Sequence, residues 1–285
     1  MAVAPLQAHA RSVTDRDAIA AFLRGDRLYA AYALGDLDGP GRGRATWGIA
    51  YDDDGRPIAL VEHHEGFMQR PLFLMGDPDG CRVILEEVVK PRDAFFQAAA
   101  EHEPAMRSLY ELEAPTRMLR MVVDRDSFVP FVGPATRLTS TDVDDLNRLY
   151  QLGFRTGFPS SVVEDGVYYG IRIRGRLVSA AGTHVINPRE GIGVVGNVMT
   201  HLDYRGHDFA KMVTSAVAAE LLERLPDVAL NVHADNQPAI AAYLRLGYRE
   251  YCRLVERLGR RRSGGWGLMR PLREAIRLTW PRDSR

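Results

Sequence analysis

The sequence predicts a mixed α/β fold built as two related modules, and three observations carry that reading. In residues 194–248 a strand-prone run passes through a glycine-containing turn into an amphipathic helix, and a second strand then leads through Asn236 to a second helix. Two glycine-turn hairpins recur about 120 residues apart, residues 47–51 with 56–61 and residues 169–173 with 176–180. Each hairpin follows a helical segment opened by a Thr-Asp pair, Thr14-Asp15 and Thr141-Asp142, residue types that cap helix N-termini.

Within the first pattern, Val194, Val195 and Val198 follow Gly193 as a short strand that ends at Leu202-Asp203-Tyr204. The period then changes, because Phe209, Met212, Val213, Ala216 and Val217 recur at helical spacing up to Pro226. Arg205-Gly206 therefore stands where a strand hands over to a helix N-terminus. Free backbone N–H groups, the positive helix end, a guanidinium and a glycine make that position suited to an anion such as a pyrophosphate. An ordinary turn with a surface arginine is the alternative. The second strand, residues 228–233, leads to a helix with Pro238 in its first turn and Gly247 as its C-cap.

Both halves in this order resemble the GNAT superfamily of acyl-CoA-dependent N-acyltransferases. The joint pattern is Arg-Gly…Asn-x-x-Ala-Ile-x-x-Tyr-x-x-Leu-Gly-Tyr, and the resemblance covers about residues 135–258. It implies α/β modules with a mostly antiparallel central sheet flanked by helices. It also implies acetyl-CoA, or another short acyl-CoA, as co-substrate, a primary amine as acceptor, and no metal. Carried across residue by residue, the main chain of Val198, Met199 and Thr200 pairs with the pantetheine arm. Arg205 and the turn Gly206, His207, Asp208, Phe209, Ala210 and Lys211 wrap the pyrophosphate. Asn236 contacts the cofactor, and Tyr243 protonates the departing thiolate. Beside Leu244 and Leu246, Tyr243 also reads as a core aromatic.

Two residues depart from the family pattern. Asp208 stands where the family carries an inner glycine, and a carboxylate ~5 Å from a pyrophosphate repels it by roughly 3 kcal/mol at an effective dielectric near 20. It can instead point away and complement the helix dipole. Asn231 stands where some members carry a basic glutamate, and an amide cannot take the amine proton. His184 and His201 are the imidazoles nearby in sequence with a pKa suited to that role, and His184 is preferred because its strand adjoins the signature strand. His207 reads as a turn residue in contact with solvent or phosphate.

With 285 residues, 46% hydrophobic and 26% charged, the chain has enough material for two cores. The expected domains are 1–126, a degenerate module; 135–258, the acyltransferase module; and 259–285, a basic arm. The boundary is expected at the Pro and Gly breaks between Asp124 and Pro134. In the first module Asp77 and Asp79 occupy the turn where an anion cradle needs neutral or basic groups, so CoA binding is not expected there. His63-His64-Glu65 reads as a strand end rather than a metal site, since adjacent strand residues face opposite ways.

Formal net charge is zero, which gives no electrostatic argument for nucleic acid. No apolar run reaches membrane-span length, the first residues lack a signal pattern, and Cys81 and Cys252 lack metal spacing; the expectation is a cytoplasmic protein without membrane contact. The arginine-rich tail reads as an arm that packs Trp266, Leu268, Ile276, Leu278 and Trp280 on its own or a neighbouring subunit, which allows a homodimer. Phe154, Arg155, Phe158, Tyr168 and Tyr169 are candidates for lining the acceptor pocket. The leading function is transfer of an acetyl or other short acyl group to an amine of unidentified structure. An acyl-CoA-binding or regulatory module and an assembly scaffold are the alternatives.

Overall fold

The computed structural model describes residues 8–38, 43–66, 70–153 and 159–262. Two compact units divide the chain. Among the described residues the first takes 8–120, Val232–Asp235 and 250–262, and the second takes Met121–Asn231 and Asn236–Arg249.

The first unit opens with β1 (His9–Ser12), α1 (Arg16–Leu23), α2 (Ala31–Asp38), β2 (Ala45–Tyr51), β3 (Pro57–His64) and β4 (Pro71–Gly76). It continues with α3 (Pro78–Glu87), β5 (Asp93–Ala98), α4 (Glu103–Leu109) and β6 (Tyr110–Leu112), and β7 (Thr116–Asp124) then leaves it. In the second unit follow β8 (Thr136–Arg137), α5 (Val143–Tyr150), α6 (Ser160–Asp165), β9 (Tyr169–Ile173), β10 (Arg176–Asn187) and β11 (Ile192–Thr200). The last elements are α7 (Phe209–Leu222), β12 (Asp227–His233), α8 (Gln237–Arg245) and β13 (Arg249–Arg261).

The strands of the first unit lie in the order β1-β2-β3-β4-β5-β13 and those of the second in the order β12-β11-β10-β9-β8. Each sheet is antiparallel apart from one parallel neighbour pair, β4 with β5 and β11 with β12. Chain order and compact units do not coincide, because β13, at the far end of the sequence, pairs with β5 from Val255↔Ala98 to Arg260↔Asp93.

Both expected hairpins form. Arg174 and Gly175 turn β9 into β10 with φ of 51° and 80°, the left-handed pair that a two-residue turn requires. Asp15 caps α1 by accepting from the Asp17 and Ala18 amides. At the equivalent place in the second unit the cap is Thr139 rather than Thr141, and the Asp142 carboxylate returns to the Thr139 N–H at 2.9 Å. Alternation along the strands separates two cores in the first unit. One, with Leu60, Phe73 and Leu254, packs residues of α1 and α2; the other, with Leu72, Phe96 and Val255, packs residues of α3 and α4. In the second unit Leu146, Leu149, Tyr150 and Val163 of α5 and α6 pack on Leu177 and Ala180.

Candidate functional site

The parallel register of β11 and β12 runs from Ile192↔Asp227 to Val195↔Leu230 and stops there, although both strands continue. Burial changes at the same point: Ile192 to Val195 are buried, while Gly196 to Thr200 are half-buried. The two strands part, leaving one edge of Val198, Met199 and Thr200 without a β12 partner. On the other edge Met199 and Thr200 pair with Ala180 and Ser179, and the Thr200 and Ser179 hydroxyls lie 2.8 Å apart.

Beyond this opening the chain turns through Arg205 to Asp208 into α7. Gly206 has φ of 82° and Asp208 φ of 60°, and both residues are exposed. The first intrahelical bond runs from the Met212 N–H to the Asp208 carbonyl at 3.0 Å. Among the described residues, the amides of Gly206 through Lys211 therefore meet no protein acceptor. N–H groups without a protein acceptor at the positive end of a fourteen-residue helix fit a pyrophosphate, and a Cβ placed at Gly206 would meet nothing within 4 Å.

Asp208 explains itself in this geometry. Its left-handed backbone is the conformation that favours glycine and that Asp tolerates better than most residues. Its side chain makes no cap bond; its Oδ1 lies 3.1 Å from Lys211 Nζ, with the Asp208 side chain 52% exposed and that of Lys211 7% exposed. Lys211 Nζ also sits 3.8 Å from the centre of the Phe131 ring. The carboxylate is thus held against a cation of its own helix. His207 stacks on Phe209 at 5.6 Å and bonds the Arg205 carbonyl through Nδ1 at 3.0 Å.

Asn236 caps α8, its Oδ1 accepting from the Ala239 N–H at 3.2 Å, with Pro238 in the first turn. The helix ends as the sequence predicts: Gly247, at φ of 88°, donates to Leu244, and Tyr248 N–H donates to Tyr243 O at 3.1 Å, a Schellman closure. Tyr243 is buried on α8, its ring 6.0 Å from that of Tyr248. Burial pushes its phenol up to about 12, with the nearby Thr214 hydroxyl acting weakly the other way. The phenol therefore keeps its proton across the physiological range. The Tyr248 hydroxyl and Thr214 Oγ1 are buried without a hydrogen-bond partner, Thr214 on α7 and Tyr248 just beyond α8, two helices in contact.

His184 occupies a bulge in β10, between the pairs Thr183↔Val195 and Val185↔Val194. Its ring lies against Gly196, where a Cβ would come within 2.3 Å of it, at the point where β11 leaves β12. His184 counts as exposed by surface area, yet the protein atoms packed around its ring, Gly196 among them, lower its basicity below an ordinary imidazole's; the bond to Asn197 acts the other way. His184 Nε2 is 3.0 Å from Asn197 Oδ1, and Asn197 Nδ2 donates to the Tyr168 hydroxyl at 3.2 Å. That amide orientation places the His184 proton on Nε2 and its lone pair on Nδ1.

Asn197 is the residue the sequence reading missed. It has φ of 54° in a β11 bulge, and its carbonyl accepts from the Tyr150 hydroxyl at 2.7 Å. The signal was Gly196-Asn197 inside an otherwise β-branched strand. Of the residues expected to line the acceptor pocket, Tyr168 is wholly buried and Tyr169 lies beside Arg137, while Phe154, Arg155 and Phe158 are outside the described residues. The apolar residues of the arginine tail, Trp266 to Trp280, are outside them too. His201 caps the turn after β11 by accepting from the Asp203 N–H, and Arg176 reaches its Nε2 at 2.8 Å. Among the described residues no group of three or more His, Cys, Asp or Glu could hold a metal ion, and no helix is long and apolar enough to cross a membrane.

In the first unit the equivalent strands also part, with β4 and β5 pairing from Pro71↔Phe95 to Phe73↔Gln97. There the Asp77 carboxylate caps α3 through the Gly80 N–H at 2.8 Å, occupying an amide that an anion would need.

Comparison with known proteins agrees with this geometry. Residues 168–257 match the family model described as FR47-like protein. No curated protein matches the chain. Among solved structures, a Drosophila protein superposes with a TM-score of 0.62 at 14% identity, over 88% of this chain and 98% of that one. A GCN5-related N-acetyltransferase from Sphaerobacter thermophilus gives 0.56 at 18% identity, over 90% and 96%. A tandem GNAT protein from the clavulanic acid biosynthesis pathway gives 0.53 at 14% identity, over 89% and 98%. The chain therefore has the GNAT fold in its tandem form, with the FR47-like match falling on the unit that carries the parted strands and the open amide turn.

Proposed function

We propose that the second unit transfers an acetyl or other short acyl group from acyl-CoA to a primary amine by direct attack. The parting of β11 from β12 beside the unengaged amides of Gly206 to Lys211 carries this reading, because together they match a thioester cofactor's two polar parts. The pantetheine amides would pair with the open edge of Val198, Met199 and Thr200, and the pyrophosphate would take the amides at the start of α7 with Arg205. His184, neutral near pH 7, would take a proton from the acceptor's ammonium so that the neutral amine can attack. Tyr243 would give its proton to the departing thiolate. Alignment of donor and acceptor supplies most of the remaining rate.

A second reading, an acyl-CoA-binding module with slow turnover, draws support from Asp208, whose carboxylate stands at the mouth of the cradle, and from Asn231 in place of a base. Calorimetric titration with acetyl-CoA followed by free-thiol release across a panel of amines separates the two. Acceptor-dependent thiol release supports transfer; binding with none supports the module; absence of binding removes both.

A further inference from the structure

Two bulges face each other in the second unit's sheet. Between the pairs Ala180↔Met199 and Gly182↔Gly196, β11 carries Asn197 and Val198 against the single residue Ala181 of β10. Between Thr183↔Val195 and Val185↔Val194, β10 carries His184 against no residue of β11. Each bulge re-aims one side chain, and His184 Nε2 and Asn197 Oδ1 come to 3.0 Å across the strands. The pair Gly182↔Gly196 lies between the bulges, with a ring over each glycine. A Cβ at Gly182 would come within 2.0 Å of the Tyr168 ring, and one at Gly196 within 2.3 Å of the His184 ring. The missing side chains let both rings settle on the sheet.

Asn197 holds a φ of 54°, a left-handed angle that Asn tolerates better than most residues and glycine adopts freely. Its carbonyl accepts from the Tyr150 hydroxyl at 2.7 Å, a main-chain contact that does not depend on the residue type at 197. What asparagine adds over glycine is its side-chain amide, and the bonds of that amide run in one direction. The Thr183 carbonyl can only accept, so the Tyr168 hydroxyl, 3.4 Å away, donates to it. The phenol oxygen then accepts from Asn197 Nδ2 at 3.2 Å, which turns Asn197 Oδ1 toward His184 and makes the imidazole Nε2–H the donor. Tyr168, ahead of β9, and Tyr150 of α5 are the titratable groups bonded to this chain besides His184. Burial pushes the Tyr168 phenol up to about 12 and that of Tyr150 well above its ordinary range, so both hydroxyls keep the protons that the arrangement uses.

We propose that Asn197, anchored by Tyr168, is a positioning residue for His184 that holds the neutral imidazole in its Nε2–H form over Gly196. Any proton that His184 takes up then goes to Nδ1. Tyr168 serves as the anchor of this chain rather than as a wall of the acceptor pocket. The effect on rate rests on the acyl-transfer reading, whereas the tautomer rests on the hydrogen-bond chain alone.

The test is long-range proton–nitrogen NMR correlation of the full 15N-labelled chain at pH 8, with His184→Gln identifying the His184 signals. Acetyl-CoA kinetics accompany it, with the amine that the parent turns over fastest. The parent is expected to show the Nε2–H form. Asn197→Gly relieves the positive φ and keeps the Tyr150 contact, so a purely structural role predicts a chain at least as stable with His184 unchanged. The positioning role predicts mixed tautomers and a kcat lowered roughly tenfold at unchanged KM for acetyl-CoA. Asn197→Asp, which accepts from the same Nε2–H, is expected to keep the Nε2–H form and to move the His184 titration midpoint up by about one pH unit. Tyr168→Phe keeps a ring over Gly182 but frees the amide to turn, and mixed tautomers are expected there too. An Nδ1–H form in the parent, an unchanged tautomer in Asn197→Gly, or parental kcat in that variant would each overturn the assignment. If the parent turns over no amine, acyl transfer fails while the tautomers of the parent and of Asn197→Gly still decide the role of Asn197.

Discussion

The Tyr29 hydroxyl donates to the Leu74 carbonyl at 2.7 Å and accepts from the Ala99 N–H at 3.0 Å, bridging β4 to the end of β5 where those strands part. In a GNAT-fold module this is the strand edge that a pantetheine arm would use, and here a side chain of the same unit engages it. In the first unit, then, Tyr29 engages the strand edge and Asp77 engages a helix amide, the two kinds of group left without protein acceptors in the second.

Tyr29→Phe leaves the buried Leu74 carbonyl and the half-buried Ala99 N–H without the tyrosine hydroxyl. Each such group costs about 1 kcal/mol or more, so the variant is expected to unfold about 2 kcal/mol more easily in urea at an unchanged m-value. A midpoint equal to that of the parent would show that water replaces the hydroxyl fully.

How much of this was legible beforehand depends on how local the cause is. Arg174-Gly175 and Gly247 act through their own backbone angles, so the hairpin and the α8 terminus could be read directly. β13 pairs with β5 about 160 residues away in sequence, and no local period encodes that partner. Asn197 looks like an ordinary polar residue until its positive φ is seen, whereas Asp208 already stands at the place of a glycine and its φ of 60° shows what that place requires. Glu62 ends the apolar run Ile58-Ala59-Leu60-Val61 and precedes His63-His64-Glu65, so it reads as the polar end of a strand, and its burial beside Asp36 of α2 is not legible there.

Asp208 offers a two-sided test of the cradle. Asp208→Gly removes the carboxylate from the turn and relaxes its φ of 60°, so acetyl-CoA is expected to bind several-fold more tightly with stability unchanged or higher. Asp208→Ala removes the same charge and keeps the unfavourable angle, lowering stability by about 1 kcal/mol. Calorimetry and thermal melts on the pair separate charge from backbone strain; weaker binding in the glycine variant would assign Asp208 a contact with the ligand.

For the acid and base, the pH profile is the informative readout. With the Tyr243 phenol pushed up to about 12, no loss of rate from its ionisation is expected below pH 10. His184 is held below the ordinary imidazole range, so its acid limb is expected under pH 6.5, with a plateau by neutrality. Tyr243→Phe is expected to lower kcat at least tenfold at unchanged acetyl-CoA affinity, and His184→Gln to flatten the acid limb. A Tyr243→Phe enzyme with full turnover would return that residue to a packing role beside Tyr248.

The buried Asp36 and Glu62 pair also predicts how stability depends on pH. Both carboxyls have folded-state pKa values raised above their unfolded ones by burial, Asp36 to about 7. The folded protein therefore holds protons that the unfolded chain releases above about pH 4. Their contribution is complete below that value; the Asp36 part is lost as pH rises through about 7, and the Glu62 part at higher pH still. Glu62→Gln removes the ionisable partner while keeping the shape, so the variant is expected to gain on the order of 2 kcal/mol over the parent at pH 8 and nothing at pH 4. Urea unfolding of both proteins from pH 4 to pH 9 measures the difference. A constant gap across that range would mean that the pair keeps the same protonation state folded and unfolded, and a gap that widened toward acid would reverse the sign of the linkage.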